Sequence, residues 1–165
     1  MTDSNQSGIV QDGFGGVPRL GIGLLYNAAL PDFVRTNLDA FDYLEITPDL
    51  FWLDRGPGHP ERYEELESWI ETLDWVAASR PIVSHDIGLS IGTATSLDVT
   101  YLDQIARFQN RYKFPWHSDH LSFAQVRGAS GDDHSTGLAC PIPYDRDVLQ
   151  LITDRVRLVK QRVPI

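Results

Sequence analysis

Short apolar runs alternate with amphipathic segments along most of this sequence, and this alternation limits the possible folds more than any other feature. Each run is long enough for one buried strand, and helical spacing of apolar side chains follows it. Strands that alternate with helices in this way form a parallel sheet with the helices packed outside it. The sequence therefore predicts an α/β fold. The predicted strands are Leu20–Leu25, Phe41–Ile46, Pro81–His85 and Trp116–Leu121.

Four helices are predicted, one after each strand. The second is strongly amphipathic, and Thr95 or Ser96 is the expected N-cap of the third. A polar, glycine-rich loop at residues 128–137 separates the last strand from the fourth helix. The helices are expected at Pro31–Leu38, at residues 61–79, from about Leu97 to Phe108, and after Asp145 as N-cap.

Two architectures fit this order: an open doubly wound sheet, or part of a (β/α)₈ barrel. Four βα units occupy residues 20–162, and eight would need about twice that length, which such barrels reach. The apolar residues 163–165 resemble the start of a fifth strand. We therefore expect a flexible leader at residues 1–17 and the N-terminal half of a TIM-barrel-like, xylose-isomerase-like fold at residues 18–165, truncated after about four βα units. A complete four-stranded α/β domain with a frayed last strand is the alternative.

Composition excludes several classes of function. The 165 residues include 14 Lys and Arg against 23 Asp and Glu, a net charge of −9 that repels phosphate backbones, so nucleic-acid binding is not expected. No apolar run approaches the ~20 residues of a membrane-spanning helix, and no secretory signal is visible. The single cysteine, Cys140, excludes an internal disulfide and is typical of a reducing compartment. We expect a cytoplasmic protein without a membrane partner.

Polar side chains cluster where the predicted strands end, which is where function collects in parallel α/β folds. His85 ends the third strand and His120 lies at the end of the fourth, one βα repeat later. Neighbouring strands lie ~4.8 Å apart, so imidazoles at their ends can share one metal ion. We predict a metal site at these two histidines. Residues that could orient the ligands or contact the substrate are Asn27, Glu45, Asp86 and Asp119, of which Glu45 could also bind the metal itself. Asp49 is a further polar residue near the end of the second strand.

The alternation of side chains leaves a choice open in the fourth strand. Ser118 and His120 point to one face of a regular strand, and His117 and Asp119 point to the other. A bend at the strand end could instead bring Asp119 and His120 to one site. For a single histidine, a hydrogen-bonded structural role is the simpler interpretation. Two histidines at matching strand ends, one of them beside an aspartate, favour a metal site.

Four segments occur in the order that is found in one known enzyme family. Together they resemble the multinuclear non-heme iron-dependent oxidative (MNIO) enzymes, which include the oxidase of methanobactin biosynthesis. The resemblance extends over nearly all of residues 18–165, and the two histidine-containing segments are its most specific part. The segments are Leu20–Leu24, Ser84–Gly92, His117–Phe123 and Pro141–Asp145.

The resemblance implies a TIM barrel similar to xylose isomerase and endonuclease IV, with two or three iron ions at the C-terminal face. Characterised members use iron and O₂ to oxidise residues, often cysteine, of ribosomally made peptides, which a partner protein or domain often presents. His85 and His120 match two of the family's iron ligands, which places His120 on the site face and makes Asp119 an orienting group. The family's remaining ligands have no counterpart in this sequence, so the isolated chain is expected to be inactive unless the second half is supplied.

Other functions are compatible with the same residues. A divalent-metal sugar isomerase or phosphoester hydrolase of the xylose isomerase/endonuclease IV type would use the same histidine pair. The chain could instead be a catalytically inactive half-barrel that binds another chain, and exposed sheet edges would also favour self-association.

Overall fold

The computed structural model describes residues 18–27 and 29–163, and a four-stranded parallel sheet lies at its centre. Its strands are β1 (Gly23–Leu25), β2 (Tyr43–Ile46), β5 (Ile82–Asp86) and β6 (His117–Asp119), in the order β1-β2-β5-β6. Two antiparallel pairs accompany it: β3 (Trp52–Asp54) with β4 (Tyr63–Glu65), and β7 (Ser122–Arg127) with β8 (Asp133–Pro141). The predicted parallel α/β arrangement is confirmed. The expected leader and residues 164–165 of the expected fifth strand lie outside the described residues.

Within residues 18–27 and 29–163, four α-helices connect or follow the parallel strands, in agreement with the predicted order. Asp145 caps the fourth helix through Val148 N–H at 2.8 Å, as predicted. The predicted cap of the third helix is wrong by two or three residues, because Asp98 accepts from the N–H groups of Thr100 and Tyr101. The helices are α1 (Pro31–Asn37), α2 (Glu67–Ala77), α3 (Val99–Tyr112) and α4 (Arg146–Arg162). None of the helices in the described part of the chain is long and apolar enough to cross a membrane.

The predicted helix at residues 61–79 is too long at its start, because its first residues form β4. Tyr63 has helical spacing with the apolar residues that follow, but its ring packs edge-on against Trp52 at 5.8 Å. The Arg62 guanidinium donates to both carboxylate oxygens of Asp54 at 2.8 Å. These contacts with β3 stabilise a strand where local spacing alone favours a helix.

The predicted polar loop after β6 is largely a β-hairpin, formed by β7 and β8. The turn between its strands is closed by Gly128 N–H, which donates to Asp132 O at 2.8 Å, and Gly131 adopts φ +90° there. The register shifts between Phe123 and Gln125, which pair with Cys140 and Ser135, so β8 contains a bulge. Few apolar side chains mark these strands because most of the hairpin is exposed.

The hydrophobic core lies between one face of the parallel sheet and the helices. Alternate strand residues point into it, as Leu44 and Ile46 of β2 do, and their neighbours Tyr43 and Glu45 are half-buried on the other face. The core residues from the helices include Leu73 and Val76 of α2 and Leu102, Ile105 and Phe108 of α3. The second face of the sheet carries half-buried and polar side chains, including His85, together with the buried Val83.

Candidate functional site

His85 and His120 lie side by side at the carboxyl ends of neighbouring strands. His85 belongs to β5, and His120 directly follows β6. Their Nε2 atoms are 3.1 Å apart, and their ring centroids are 4.8 Å apart with an interplanar angle of 59°. His85 is half-buried and His120 is exposed, so a ligand can reach the pair from solvent.

The register between β5 and β6 brings these two rings together. His85 pairs with Ser118, and Asp86 pairs with Asp119. His120 is two residues beyond Ser118, so both side chains point to the face that carries His85. The structure thereby decides the choice that the alternation of β6 leaves open, and it does so without a bend that turns Asp119 to this face.

Ser118 is a partner of His85 that sequence reasoning missed. Its Oγ lies 2.9 Å from His85 Nδ1 and 3.4 Å from the backbone oxygen of Ser84. The signal was available in the sequence: Ser118 precedes His120 by two residues, so it shares a strand face with it.

Asp86 is fully buried on the opposite face of the sheet, against α3. The Tyr101 hydroxyl and the Ile87 N–H donate to its Oδ1, and its Oδ2 has no hydrogen-bond partner among the described residues. Burial raises the pKa of Asp86 to about 8, so the carboxyl is largely protonated at neutral pH. The structure does not bring this carboxyl to the face that carries the histidine pair.

His117 also faces away from the pair, and its imidazole is buried. Its Nδ1 lies 2.9 Å from Ser84 Oγ, and its Nε2 lies 4.0 Å from Asp86 Oδ2. Burial, with a smaller contribution from His85, lowers the pKa of His117 to about 4, so the ring is neutral at neutral pH. This histidine fits the hydrogen-bonded structural role.

Asp119 contacts the backbone of His120 and not its ring. Its Oδ1 accepts from the His120 N–H at 2.6 Å, and its Oδ2 is buried without a partner among the described residues. Burial raises the pKa of Asp119 to about 7. Burial also raises the pKa of Asp49, which lies in the 3₁₀ helix Pro48–Phe51 and adds to the negative charge near Asp119.

Glu45 and Asn27 occupy different surroundings. Glu45 pairs with Val83 across β2 and β5, so its half-buried side chain projects from the same face as His85, one strand away. Asn27 follows β1, and its side-chain oxygen accepts from the Ala29 N–H at 2.9 Å. Glu45 is therefore on the candidate site's face, whereas the Asn27 oxygen is engaged in a local turn.

The loop that follows β5 is attached to the hairpin that follows β6, which holds the two histidine-bearing segments together. Gly92 N–H donates to Ser122 O at 2.8 Å, and Ala124 N–H donates to Ser90 Oγ at 2.7 Å. A Cβ atom on Gly92 would lie 2.6 Å from Ser122 O. Glycine is therefore required for this close approach of the two backbones.

The buried guanidinium of Arg155 also holds the loop that follows β5. Arg155 of α4 donates to the carbonyl of Ile91 at 2.7 Å and also to the carbonyls of Thr93 and Thr95. Sequence reasoning missed this role. The signal was a basic residue on the apolar face of α4, spaced by three and four residues from Ile152 and Val159.

The histidine pair is the group on this face that could hold a metal ion. Across residues 18–27 and 29–163, no set of three or more His, Cys, Asp or Glu side chains is arranged as a metal site. Two bonds of ~2.1 Å can span up to about 4 Å, so Nε2 atoms 3.1 Å apart fit one shared ion. Imidazole nitrogens suit iron as well as zinc, and two of them leave most of the coordination to other ligands.

Comparisons with known proteins agree with the motifs. A UPF0276 protein of Shewanella sediminis is 26% identical over 142 residues, which are 86% of this chain and 45% of that protein. A UPF0276 protein of Nitrosospira multiformis is 29% identical over 142 residues, which are 85% of this chain and 44% of that protein. One from Acaryochloris marina is 33% identical over 89 residues, 54% of this chain and 30% of its own. The chain spans less than half the length of these relatives.

A family match covers a larger part of the sequence. Residues 19–165 match the family described as RiPP precursor modification enzyme MbnB/TglH/ChrH, where RiPP denotes a ribosomally made and then modified peptide. This match includes both histidines and all four parallel strands. The resemblance to MNIO enzymes is thereby confirmed, and the chain belongs to the MbnB/TglH/ChrH family of RiPP precursor modification enzymes.

Proposed function

We propose that this chain carries part of the metal site of an iron-dependent oxidase that modifies ribosomally made precursor peptides. The observation that carries the proposal is the 3.1 Å separation of the Nε2 atoms of His85 and His120. The family description supplies the substrate class, a precursor peptide. Iron, as two or three ions in the intact site, would supply the reduction of O₂ that accompanies oxidation of a peptide side chain.

The residues of this chain would then have distinct roles. His85 and His120 bind one ion through Nε2. Asp119 holds the backbone of His120 in place through the 2.6 Å hydrogen bond to its N–H. Glu45 projects from the same face and contacts either an ion or the peptide. Asp86 lies on the other face of β5 and accepts from the Ile87 N–H at 3.0 Å, so it would influence His85 only through the backbone of this strand.

Iron loading tests the assignment of the ligands. We expect that the protein loaded anaerobically with iron(II) loses its bound iron when His85 and His120 are both changed to Ala. The matched control changes His59 and His134, two exposed histidines outside the site, to Ala and should keep the iron content. Equal iron content in both double variants would show that the ligand assignment is wrong.

We further infer that the four βα units belong to a (β/α)₈ barrel. The outer edge of β6 borders an apolar groove of about 420 Å³, which Trp116 and Leu121 line together with α4. On α4, Val156 is 41% exposed although it lies on the apolar face of the helix. A further parallel strand beside β6 would cover this groove, and relatives more than twice as long as the matched segment have the chain length for it.

Self-association is the alternative way to cover the groove. If copies of this chain meet there, Val156→Glu should reduce the mass measured by sedimentation velocity at high concentration. Arg157→Glu, an exposed neighbour on α4, is the control and should leave the mass unchanged. A mass that is independent of concentration in the unsubstituted protein would contradict self-association.

The peptide substrate and the oxidant distinguish the proposed oxidase from the other functions. The test combines this chain with the remainder of the family fold, supplied on a second chain, and a precursor peptide in the presence of iron(II) and O₂. The proposal is supported if the peptide is oxidised only when iron(II) and O₂ are both present. Turnover of a sugar or a phosphoester with Zn²⁺ and no O₂ would favour an isomerase or a hydrolase. If none of these substrates is converted, an inactive binding module is favoured. Because precursor peptides are made by ribosomes, the proposed reaction takes place in the cytoplasm.

A further inference from the structure

We infer that Ser118 is a positioning residue that sets the tautomer of His85, with the proton on Nδ1 and the lone pair of Nε2 directed at the site. The inference deepens the proposed function, because a ring that keeps its proton on Nε2 cannot bind a metal ion through that atom. The observation behind it is a chain of three polar contacts that joins His120, His85, Ser118 and the backbone of Ser84.

The serine hydroxyl has one proton and two neighbours that can accept it. The Ser84 carbonyl, 3.4 Å away, can only accept a hydrogen bond. His85 Nδ1, 2.9 Å away, accepts in one tautomer and donates in the other. If the hydroxyl donates to the carbonyl, its oxygen lone pairs are left to accept from Nδ1–H of His85.

Counting the hydrogen bonds of both arrangements favours the tautomer that carries its proton on Nδ1. With that tautomer, His120 Nε2–H donates to His85 Nε2, His85 Nδ1–H donates to Ser118, and Ser118 donates to Ser84 O, which makes three bonds. With the proton on His85 Nε2, Ser118 must donate to Nδ1, and the bond to Ser84 O is lost. The first arrangement therefore keeps one more hydrogen bond, the 3.4 Å contact with Ser84 O, which favours it by up to about fivefold.

The two histidines therefore differ in the tautomer that they hold before a metal ion binds. His85 already presents the lone pair of Nε2, whereas His120 must change tautomer, with its proton moved from Nε2 to Nδ1, before its Nε2 can bind a metal ion. Histidine ligands commonly donate their other N–H to a protein group, which fixes the ring and raises its basicity. Ser118 provides that group for His85 from the neighbouring strand.

The chain contains a matched control for this role. Ser84 is also a strand serine whose Oγ lies 2.9 Å from an imidazole Nδ1, but its partner is His117 on the opposite face. Ser84→Ala removes this hydroxyl and keeps the backbone oxygen that accepts from Ser118. Ser118→Thr keeps a hydroxyl at the position itself and should rescue the effect of Ser118→Ala.

The test reads the tautomers by long-range ¹H–¹⁵N correlation NMR of histidine-labelled, metal-free protein. We expect Nδ1–H at His85 in the unsubstituted protein, in Ser84→Ala and in Ser118→Thr, and a loss of this preference in Ser118→Ala. Because Ser118 is exposed, Ser118→Ala should fold normally. A proton on Nε2 of His85 in the unsubstituted protein, or an unchanged tautomer in Ser118→Ala, would overturn the inference.

Metal affinity provides the second measurement, with Zn²⁺ as a diamagnetic probe. We expect Ser118→Ala to bind Zn²⁺ at least about 10-fold more weakly, and Ser118→Thr and Ser84→Ala to bind within about twofold of the unsubstituted protein. Equal affinity of Ser118→Ala would overturn the part of the inference that concerns metal binding. If the unsubstituted protein binds neither Zn²⁺ nor iron(II), the proposed function fails, while the tautomer measurement still decides the role of Ser118.

Discussion

The hydroxyl of Tyr101 donates a hydrogen bond to the carboxyl of Asp86, the residue that directly follows His85. Both side chains are buried between β5 and α3, and burial raises the pKa of each group. The helix that covers the sheet is therefore connected to the histidine-bearing strand by a polar contact inside the core.

Removing the Tyr101 hydroxyl tests this contact. Tyr101→Phe leaves the buried carboxyl with one partner fewer, and we expect the free energy of unfolding to fall by about 1–3 kcal/mol. Chemical denaturation followed by circular dichroism measures the change. Tyr144→Phe, at a fully exposed tyrosine, is the control and should change the value by less than about 0.5 kcal/mol. Equal effects of both substitutions would contradict the role of the contact.

The raised pKa of Asp86 predicts a pH dependence of stability. In the unfolded chain the carboxyl has a pKa near 3.9, whereas in the folded protein the pKa is about 8. A folded-state pKa raised in this way stabilises the fold at low pH, and the stabilisation is lost as the pH rises through 8. Between pH 6.5 and 8 we expect the free energy of unfolding to fall by up to about 1.4 kcal/mol per pH unit.

Two variants test whether Asp86 causes this pH dependence of the free energy of unfolding. Asp86→Asn should make the dependence shallower in that pH range, whereas Asp39→Asn, at an exposed carboxylate, should leave it unchanged. The range begins at pH 6.5 because His117 has the opposite effect below it: its lowered pKa destabilises the fold as the pH falls from 6.5 towards 4. An unchanged slope in Asp86→Asn would show that other groups cause it.

The buried guanidinium of Arg155 should stabilise the loop between β5 and α3. Arg155→Ala removes three donors from the carbonyls of Ile91, Thr93 and Thr95, and we expect a loss of about 2–4 kcal/mol. Amide hydrogen exchange at Gly92 should accelerate as well, because its bond to Ser122 O depends on this loop.

The control for Arg155 lies on the same helix. Arg157→Ala removes an exposed arginine that pairs with Asp154 on the surface, so the loss should be less than about 0.5 kcal/mol. If Arg155→Ala were as mild as Arg157→Ala, or if the exchange rate at Gly92 stayed the same, the loop would be held by other contacts.

Metal binding should itself stabilise the fold if the histidine pair is a site. A ligand that binds only the folded state adds about 2.7 kcal/mol at 100 times its dissociation constant. We expect iron(II), under anaerobic conditions, to raise the melting temperature, and a chelator to reverse the change. His85→Ala should abolish the effect and His59→Ala should not. An equal shift in both variants would place the bound metal elsewhere.

Much of the fold could be predicted from local periodicity. The four parallel strands and the helices between them follow from apolar spacing that each segment carries by itself. The exceptions have a common cause. Tyr63 fits a helical pattern, yet Trp52 and Asp54, eight or more residues earlier, stabilise a strand there. The hairpin after β6 was missed because its exposed strands bury too few side chains to show an alternating pattern.

The candidate site could be predicted only in part. The sequence by itself determined that His85 and His120 end neighbouring strands of a parallel sheet, because strand positions follow from local patterns. Strand alternation left open which side chains of the fourth strand meet His85; the resemblance implied His120, and the register of β5 with β6 shows that His120, and not His117, meets it. Only the tertiary structure decided that Ser118 contacts His85 Nδ1 and that Asp86 faces Tyr101 instead of the pair. The contacts of His85 depend on the register between strands more than 30 residues apart in the chain, and a shift of one residue would turn every side chain of β6 to the other face.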